Sequence, residues 1–212
     1  MYPESARRRR IVQALAGAGL AATVPALAVM RARAPTPRQT EGPFYPQTAP
    51  SETDADLLAV GRNTASVTPA ALSGRILDRE GRALAGARVE IWQCDAHGRY
   101  HHVDDGGGRR ERDPHFQGYG QTVSDADGGY RFRTIRPVPY GGRTPHIHYR
   151  VTARDGRSLT TQLYVRGDPG NARDFLFRAL SPEQAERLQA DFTSAGTAGG
   201  PLEARFDLVL AG

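Results

Sequence analysis

From residue 71 onward the chain repeatedly alternates apolar and polar positions with a period of two. Leu72-Ser73-Gly74-Arg75-Ile76-Leu77 and Tyr130-Arg131-Phe132-Arg133-Thr134-Ile135 show it most clearly. Such alternation marks a strand with one face in a core. Further strands are predicted over Ala87 to Cys94, Gln121 to Ser124, Ile147 to Ala153, Thr160 to Val165 and Ala204 to Leu210. Turn chemistry separates them, at Asp78-Arg79-Glu80-Gly81-Arg82 and Asp125-Ala126-Asp127-Gly128-Gly129. Short strands joined by Gly- and Asp-rich turns predict an all-β fold, an antiparallel β-sandwich. One helix interrupts near the C-terminus. Ser181 as cap, Pro182 at the first helical position and Gln184 at the third predict a helix running to about Phe192.

Upstream the periodicity lapses. Residues 29–68 read as an extended N-terminal arm, with a short helix over residues 51–60 behind a Ser51 cap. Thr40-Glu41-Gly42-Pro43-Phe44-Tyr45-Pro46 is too aromatic for a linker and is expected to pack against the domain that spans residues 69–212. The first 28 residues read as an export signal. Arg7 to Arg10 precede an apolar stretch from Ile11 to Leu27, and Ala26-Leu27-Ala28 offers a small-x-small cleavage site. Arg8-Arg9-Arg10-Ile11-Val12-Gln13 resembles the twin-arginine pattern, which carries proteins across already folded. The expected location is therefore periplasmic or extracellular. If the signal is uncleaved, the stretch is marginally long enough to act as a membrane anchor.

Composition narrows this picture modestly. The 212 residues suffice for one domain and an arm. The formal net charge is +5, but loss of residues 1–28, with their four Arg and one Glu, would leave +2. No cationic stripe suits nucleic acid, so no nucleic-acid partner is expected. All cationic side chains are Arg, a composition bias without functional weight. The single cysteine, Cys94, cannot pair within the chain and is expected to be a small buried residue.

The candidate chemistry lies in His146-Ile147-His148. On a strand, residues two apart share a face, so both imidazoles can aim at one point while Ile147 turns to the core. Tyr100 and Tyr140 precede the pair. Two imidazoles and two phenols make an N2O2 donor set. Phenolate is a hard anionic donor and suits a hard trivalent cation, which points to ferric iron and oxygen chemistry.

Leu72, Gly74 and Ile76, then Gly81, Leu84, Val89-Glu90-Ile91 and Gly98-Arg99-Tyr100, form a pattern that continues downstream. It runs through Asp127-Gly128, Tyr130 to Pro137, Pro139-Tyr140, Arg143 to His148, and Thr160-Thr161-Gln162-Leu163-Tyr164. Over roughly residues 40 to 170 this resembles the intradiol ring-cleavage dioxygenases, and most the protocatechuate 3,4-dioxygenase branch. The resemblance implies a non-haem Fe(III) held by Tyr100, Tyr140, His146 and His148 with a solvent ligand. Such enzymes cleave a catechol between its hydroxylated carbons, insert both atoms of O2, and yield a cis,cis-muconate. By the same resemblance Tyr140 is the axial ligand that substrate displaces, and His148 is the opposite axial ligand. Tyr100 and His146 would be equatorial. Arg143 would stabilise negative charge on the substrate ring, and Gln162 would lie close to the iron. Gly42, Pro43 and Tyr45 match a stretch that lines the substrate mouth.

Other features fit blander roles. His101 and His102 are neighbours and cannot share a strand face; with His97 and His115 they are expected to meet substrate or solvent rather than iron. Asp104-Asp105-Gly106-Gly107-Gly108 reads as a solvated loop. Trp92, Tyr130 and Phe132 read as core. Only five residues separate Tyr140 from His146, fewer than in several family members, which leaves the choice of catechol open. Because one chain carries a full ligand set, a homo-oligomer is expected. The competing reading is a metal-free transthyretin-like or carboxypeptidase-regulatory-like binding module, which shares the strand–turn pattern of residues 72–99 and 124–136 but has no use for the four donors.

Overall fold

The computed structural model describes residues 32–48, 50–58, 67–102, 105, 111–194, 196 and 200–212. The expected export signal at residues 1–28 lies outside these, as do the end of the expected arm helix at residues 59–60 and most of the acidic loop.

Among the described residues ten strands and two short helices follow in order: β1 (Pro69–Leu77), β2 (Arg88–Trp92), β3 (Tyr119–Val123), β4 (Gly129–Ile135), β5 (His146–Thr152), β6 (Ser158–Val165), α1 (Phe175–Arg178), α2 (Pro182–Arg187), β7 (Gln189–Ala190), β8 (Thr193–Ser194), β9 (Leu202–Arg205) and β10 (Leu208–Val209). They form two five-stranded sheets. In one, β1 pairs with β4 on one side and with β9 and β10 on the other, and β8 extends β9. The other runs β3-β2-β5-β6-β7.

The alternating positions fill the core as their period predicts. Leu72, Ile76, Tyr130 and Phe132 of the first sheet and Val89, Ile91, Ile147, Tyr149, Val151 and Leu163 of the second belong to one buried cluster. Both predicted turns form. Asp78 accepts from the Arg82 backbone and Nε at 2.8 and 2.6 Å, and Asp125 accepts from the Gly129 backbone at 2.7 Å.

Three expectations need correction. The sheets are mixed rather than antiparallel: β1 runs parallel to β9 and β10, and β6 parallel to β7. These pairings come from the C-terminal third, where crossovers return the chain alongside strands laid down earlier. Residues 51–58 are not helical. Their backbone groups are taken by neighbouring strand edges: Gln121 N–H donates to the Thr53 carbonyl, Arg133 N–H to Ala55, and Leu57 N–H to Arg133, each at 2.8 Å. Leu57 and Leu58 are thereby buried, an anchorage worth more than one isolated turn of helix.

The third concerns the helix at Ser181, which starts as predicted, with a complete capping box, but stops at Arg187. Leu188 is fully buried and its carbonyl accepts from Tyr164 N–H, so Gln189 and Ala190 continue as β7 instead. A second helix, α1, was not expected. It is one turn capped by Asp174.

Residues 36–40 of the arm run beside the first half of β6. Gln39 N–H donates to the Thr160 carbonyl at 2.9 Å, Thr161 Oγ1 to the Pro37 carbonyl at 2.7 Å, and Gln162 Nε2 to the Thr40 carbonyl at 2.9 Å. At its start, Thr36 N–H donates to the Val209 carbonyl, tying the arm to β10.

Candidate metal centre

The face of the second sheet turned away from the sandwich core carries the chemistry. Register pairs Trp92 of β2 with His148 of β5, His148 with Gln162 of β6, and His146 with Tyr164. Period two therefore places Trp92, His146, His148, Gln162 and Tyr164 on one surface, while Ile147 turns to the core with no exposure. A second buried cluster of Trp92, Cys94, Tyr100 and Tyr119 covers this surface, with Phe44, Tyr45, Val138 and Tyr140 packed against it.

The two tyrosines arrive on loops built by glycine. Tyr100 follows a turn in which the buried Asp95 accepts from the backbones of His97, Arg99 and Asp113 at 2.7 to 2.9 Å. Gly98 in that turn has φ +76°, and a Cβ there would sit 3.2 Å from the Pro139 carbonyl oxygen. Only glycine lets the two ligand-bearing loops come so close. Tyr140 opens a tight turn closed by Arg143 N–H to the Tyr140 carbonyl at 2.7 Å, with Gly141 and Gly142 both at positive φ. The short segment between Tyr140 and His146 is thus a hairpin-like turn that brings Arg143 back beside Tyr140.

The four candidate ligands converge. His146 and His148 Nε2 lie 3.2 Å apart. The Tyr140 ring is 5.4 Å from that of His146, and the Tyr100 ring lies 4.9 Å from Tyr140 and 6.1 Å from His148. Tyr100, His146 and His148 are buried and Tyr140 half-buried. His146 Nδ1 lies 2.7 Å from the Thr144 carbonyl oxygen, which only accepts, so that nitrogen carries the proton and Nε2 presents its lone pair. Burial, with Arg143 nearby, lowers the His146 pKa to about 4; burial, with His146 and Arg143, pushes that of His148 well below its usual range. Both rings are neutral at pH 7, the state a metal requires.

Burial also raises both phenols, Tyr100 strongly, while Tyr100 and Arg143 pull Tyr140 back somewhat. The Tyr100 hydroxyl faces that of Tyr140 without a well-formed hydrogen bond, and His148 Nδ1 has no partner. Among the described residues no group of three or more His, Cys, Asp or Glu is placed to hold a metal ion. A zinc-type site is therefore not built from these residues. A hard trivalent cation fits: the two imidazole Nε2 atoms lie side by side, and the buried Tyr100 and half-buried Tyr140 phenols lie next to them, where a bound charge would ionise them.

The surrounding residues orient the four. Trp92 stacks flat on His148, centroids 4.9 Å apart at 8°. Phe44 stacks on Tyr100 at 4.5 Å and meets Tyr140 edge-on at 5.9 Å. Arg143 donates from Nη2 to Gln162 Oε1 at 2.8 Å, and Tyr164 OH lies 3.5 Å from the same nitrogen. Asp174 takes Arg143 Nε at 2.6 Å. Burial pushes its carboxyl up, but hydrogen bonds from Arg143, Phe177 and Thr144 outweigh this and hold it below the usual range. Outside the turn, a groove of about 480 Å³ is lined by Tyr140, Arg143, Pro145, Asp168 and Arg173.

Of the arm residues named from sequence, Gly42 reaches the centre, its Cβ position 3.3 Å from His148 Cε1. Pro43 is exposed. Tyr45 turns its hydroxyl to the buried Glu90 at 2.8 Å and sets its ring edge on Trp92, so it braces the centre from behind. Phe44, between them, is the arm residue that touches both tyrosines. Sequence reasoning passed over it, and over Asp174 and the placement of Trp92; an isolated aromatic or a lone Asp carries no local signal. His101 lies against Phe116 and the buried His102 against Phe44. Cys94 is buried and its thiol pushed up to about 12 by burial and then Asp95, an inert group.

A family model described as Dioxygenase matches residues 40–212. The chain is 34% identical to catechol 1,2-dioxygenase of Acinetobacter baylyi over 82% of its length and 62% of the relative's. It is 38% identical to the protocatechuate 3,4-dioxygenase beta chain of Burkholderia cepacia over 66% of its length and 63% of that chain. It thus spans less than two thirds of these curated relatives. Among solved structures, the dioxygenase domain of a dioxygenase carbohydrate-binding protein fusion from Streptomyces sp. SirexAA-E aligns with a TM-score of 0.64 at 33% identity, covering 84% of this chain and 99% of that one. The chain belongs to the intradiol ring-cleavage dioxygenase family.

Proposed function

We propose that this chain is a non-haem Fe(III) intradiol dioxygenase that cleaves a catechol-type diol between its two hydroxylated carbons. One observation carries the reading: two neutral imidazoles converge at 3.2 Å beside the buried Tyr100 and half-buried Tyr140 phenols, with no three-residue His, Cys, Asp or Glu metal group among the described residues. Tyr100, Tyr140, His146 and His148 would hold the metal. Ferric iron bound there would supply the charge that ionises the phenols and an incoming catechol and primes the diol for O2.

The chain's own groups do the rest. Thr144 and Trp92 fix the two imidazoles. Burial of Tyr100 under Phe44 keeps water from that side. Tyr140 is the most exposed of the four and borders the groove, so its phenolate oxygen is the one placed to accept a catechol proton. Arg143 points a fixed guanidinium from the groove wall, where negative charge on the substrate ring would be stabilised. The balance is simple: one ring C–C bond breaks, each former carbinol carbon gains one oxygen of O2, and a cis,cis-muconate-type diacid results. No external reductant is consumed. A metal-free binding module would leave the Tyr100 hydroxyl buried without purpose, at a cost of about 1–3 kcal/mol.

The expected homo-oligomer, and export directed by Arg8-Arg9-Arg10-Ile11-Val12-Gln13, are part of this proposal; their support is the single-chain donor set and the signal pattern. The test is oxygen uptake by iron-loaded protein with protocatechuate, catechol, hydroxyquinol and chlorocatechols, with product ultraviolet spectra. Red-brown protein and muconate products are expected. A yellow semialdehyde, or colourless protein after folding with iron, would refute the reading.

A further inference from the structure

Arg143 is held from several sides, and its shortest contact is to a residue 31 positions downstream. Nε donates to Asp174 Oδ2 at 2.6 Å, Nη2 donates to Gln162 Oε1 at 2.8 Å, and the Phe175 ring lies 5.4 Å from Cζ. Asp174 is itself fixed without help from the arginine. Its Oδ1 caps α1, accepting from the Leu176 and Phe177 N–H groups at 2.9 and 3.0 Å, and its Oδ2 also accepts from Thr144 N–H at 2.9 Å. Its side chain has no exposure, and that of Arg143 has 11%. A carboxylate buried this completely is tolerated only when its lone pairs are satisfied. Four donors do so here, three of them backbone groups. The carboxylate is therefore a rigid socket, and the arginine plugs into it through Nε alone. Its Nη atoms stay free for Gln162 and the groove.

We propose that Asp174 is the positioning residue for Arg143, a backbone-anchored carboxylate that holds the guanidinium beside Tyr140 with Nη2 directed to Gln162. This rests on the reading of Arg143 as the group that faces substrate. The electrostatics require such a device. A guanidinium at the edge of an open groove keeps a single orientation only if a fixed anion on its far side retains it. Asp174 supplies that anion, and Thr144 N–H helps to hold it in place.

Asp174→Asn isolates the effect. Asn caps helices as well as Asp, so Oδ1 still serves Leu176 and Phe177. Its amide group then meets Arg143 Nε–H and Thr144 N–H, donor against donor. Turnover of the best catechol is expected to fall about 10- to 100-fold, with iron content and the visible band unchanged. The double variant Asp174→Asn/Arg143→Ala is expected to be no slower than Arg143→Ala, because Asp174 acts through Arg143. An additive loss would overturn the proposal. A second readout needs no iron and no turnover. The Nε–H resonance of Arg143 in the iron-free protein, identified by its absence in Arg143→Lys, is expected to be protected from exchange and to lose protection in Asp174→Asn. An unchanged resonance would also overturn it. Should no catechol be cleaved by the unmodified protein, the dioxygenase reading fails while this resonance still decides the socket. If Asp174→Asn does not fold, Asp174→Ser, whose hydroxyl serves only the helix N–H groups, takes its place in both measurements.

Discussion

The indole of Trp92 lies flat on the imidazole of His148, ring centroids 4.9 Å apart, across the β2–β5 pairing. His148 has no hydrogen-bond partner on Nδ1, so its ring plane is set by packing rather than by an acceptor. This differs from His146, which the Thr144 carbonyl aligns. Trp92→Leu keeps an apolar strand residue but removes the flat support. It is expected to cost about 2–4 kcal/mol through the cavity left behind. Iron affinity should drop about 10-fold or more, as for other residues that orient a ligand. Denaturant titration and chelator competition measure the two separately. A loss of stability with iron affinity intact would reduce Trp92 to a core residue.

The facing Nε2 atoms of His146 and His148 make the iron-free protein acid-sensitive. Both imidazoles have folded-state pKa values below the ordinary 6.5, that of His146 at about 4. In this range the unfolded chain binds more protons than the folded one. Stability is therefore fully present above pH 6.5 and is lost as pH falls toward 4, at about 1.4 kcal/mol per pH unit for each histidine. Urea midpoints of the iron-free protein between pH 7.5 and 4.5 should show this slope, and His146→Gln should flatten it. A midpoint that does not move over that range would mean the rings are not buried neutral.

Tyr140→Phe addresses the most exposed of the four donors. Loss of one phenolate should shift and weaken the visible tyrosinate band and slow substrate deprotonation, while Tyr100 preserves part of the colour. Absorption spectra of the iron-loaded variant and single-turnover mixing with catechol read both effects. An unaltered spectrum would remove Tyr140 from the ligand set.

Much of this was legible because strands write their geometry into sequence. His146 and His148, two apart around the apolar Ile147, announce a shared face, and the turns at Asp78 and Asp125 announce strand ends. What was hidden depends on chain segments meeting from afar. Nothing local says that Ser51 to Leu58 would be claimed by the edges of β3 and β4 rather than coil into a helix. The parallel pairings of β9 and β10 with β1 follow from tertiary return, and no period encodes them. Asp174, a lone Asp with no local signal, gains its role only when folding brings it to Arg143. Phe44 sits inside an aromatic segment that was noticed as a whole, yet only packing separates its role from that of Tyr45, whose hydroxyl goes to Glu90.

The arm's approach to the centre turns on Gly42. Its φ of +73° lies in the left-handed region, and a Cβ there would meet His148 Cε1 at 3.3 Å, tighter than ordinary packing. Gly42→Ala therefore meets two obstacles, backbone strain of about 1 kcal/mol or more and a contact with a ring held in place by Trp92. The arm is the softer partner. It is pinned at Thr36, Gln39 and Thr40 on one side and at Tyr45 on the other, so residues between these pins should lift outward while the pins hold. Phe44 would then loosen over Tyr100 and Tyr140. The expected result is a KM for catechol raised several-fold, a modest fall in thermal stability, and iron content close to that of the unmodified protein. Steady-state kinetics, a thermal melt and iron analysis on one preparation test all three. An unchanged KM with the full loss of stability would show that the arm braces the fold without shaping the path to the metal.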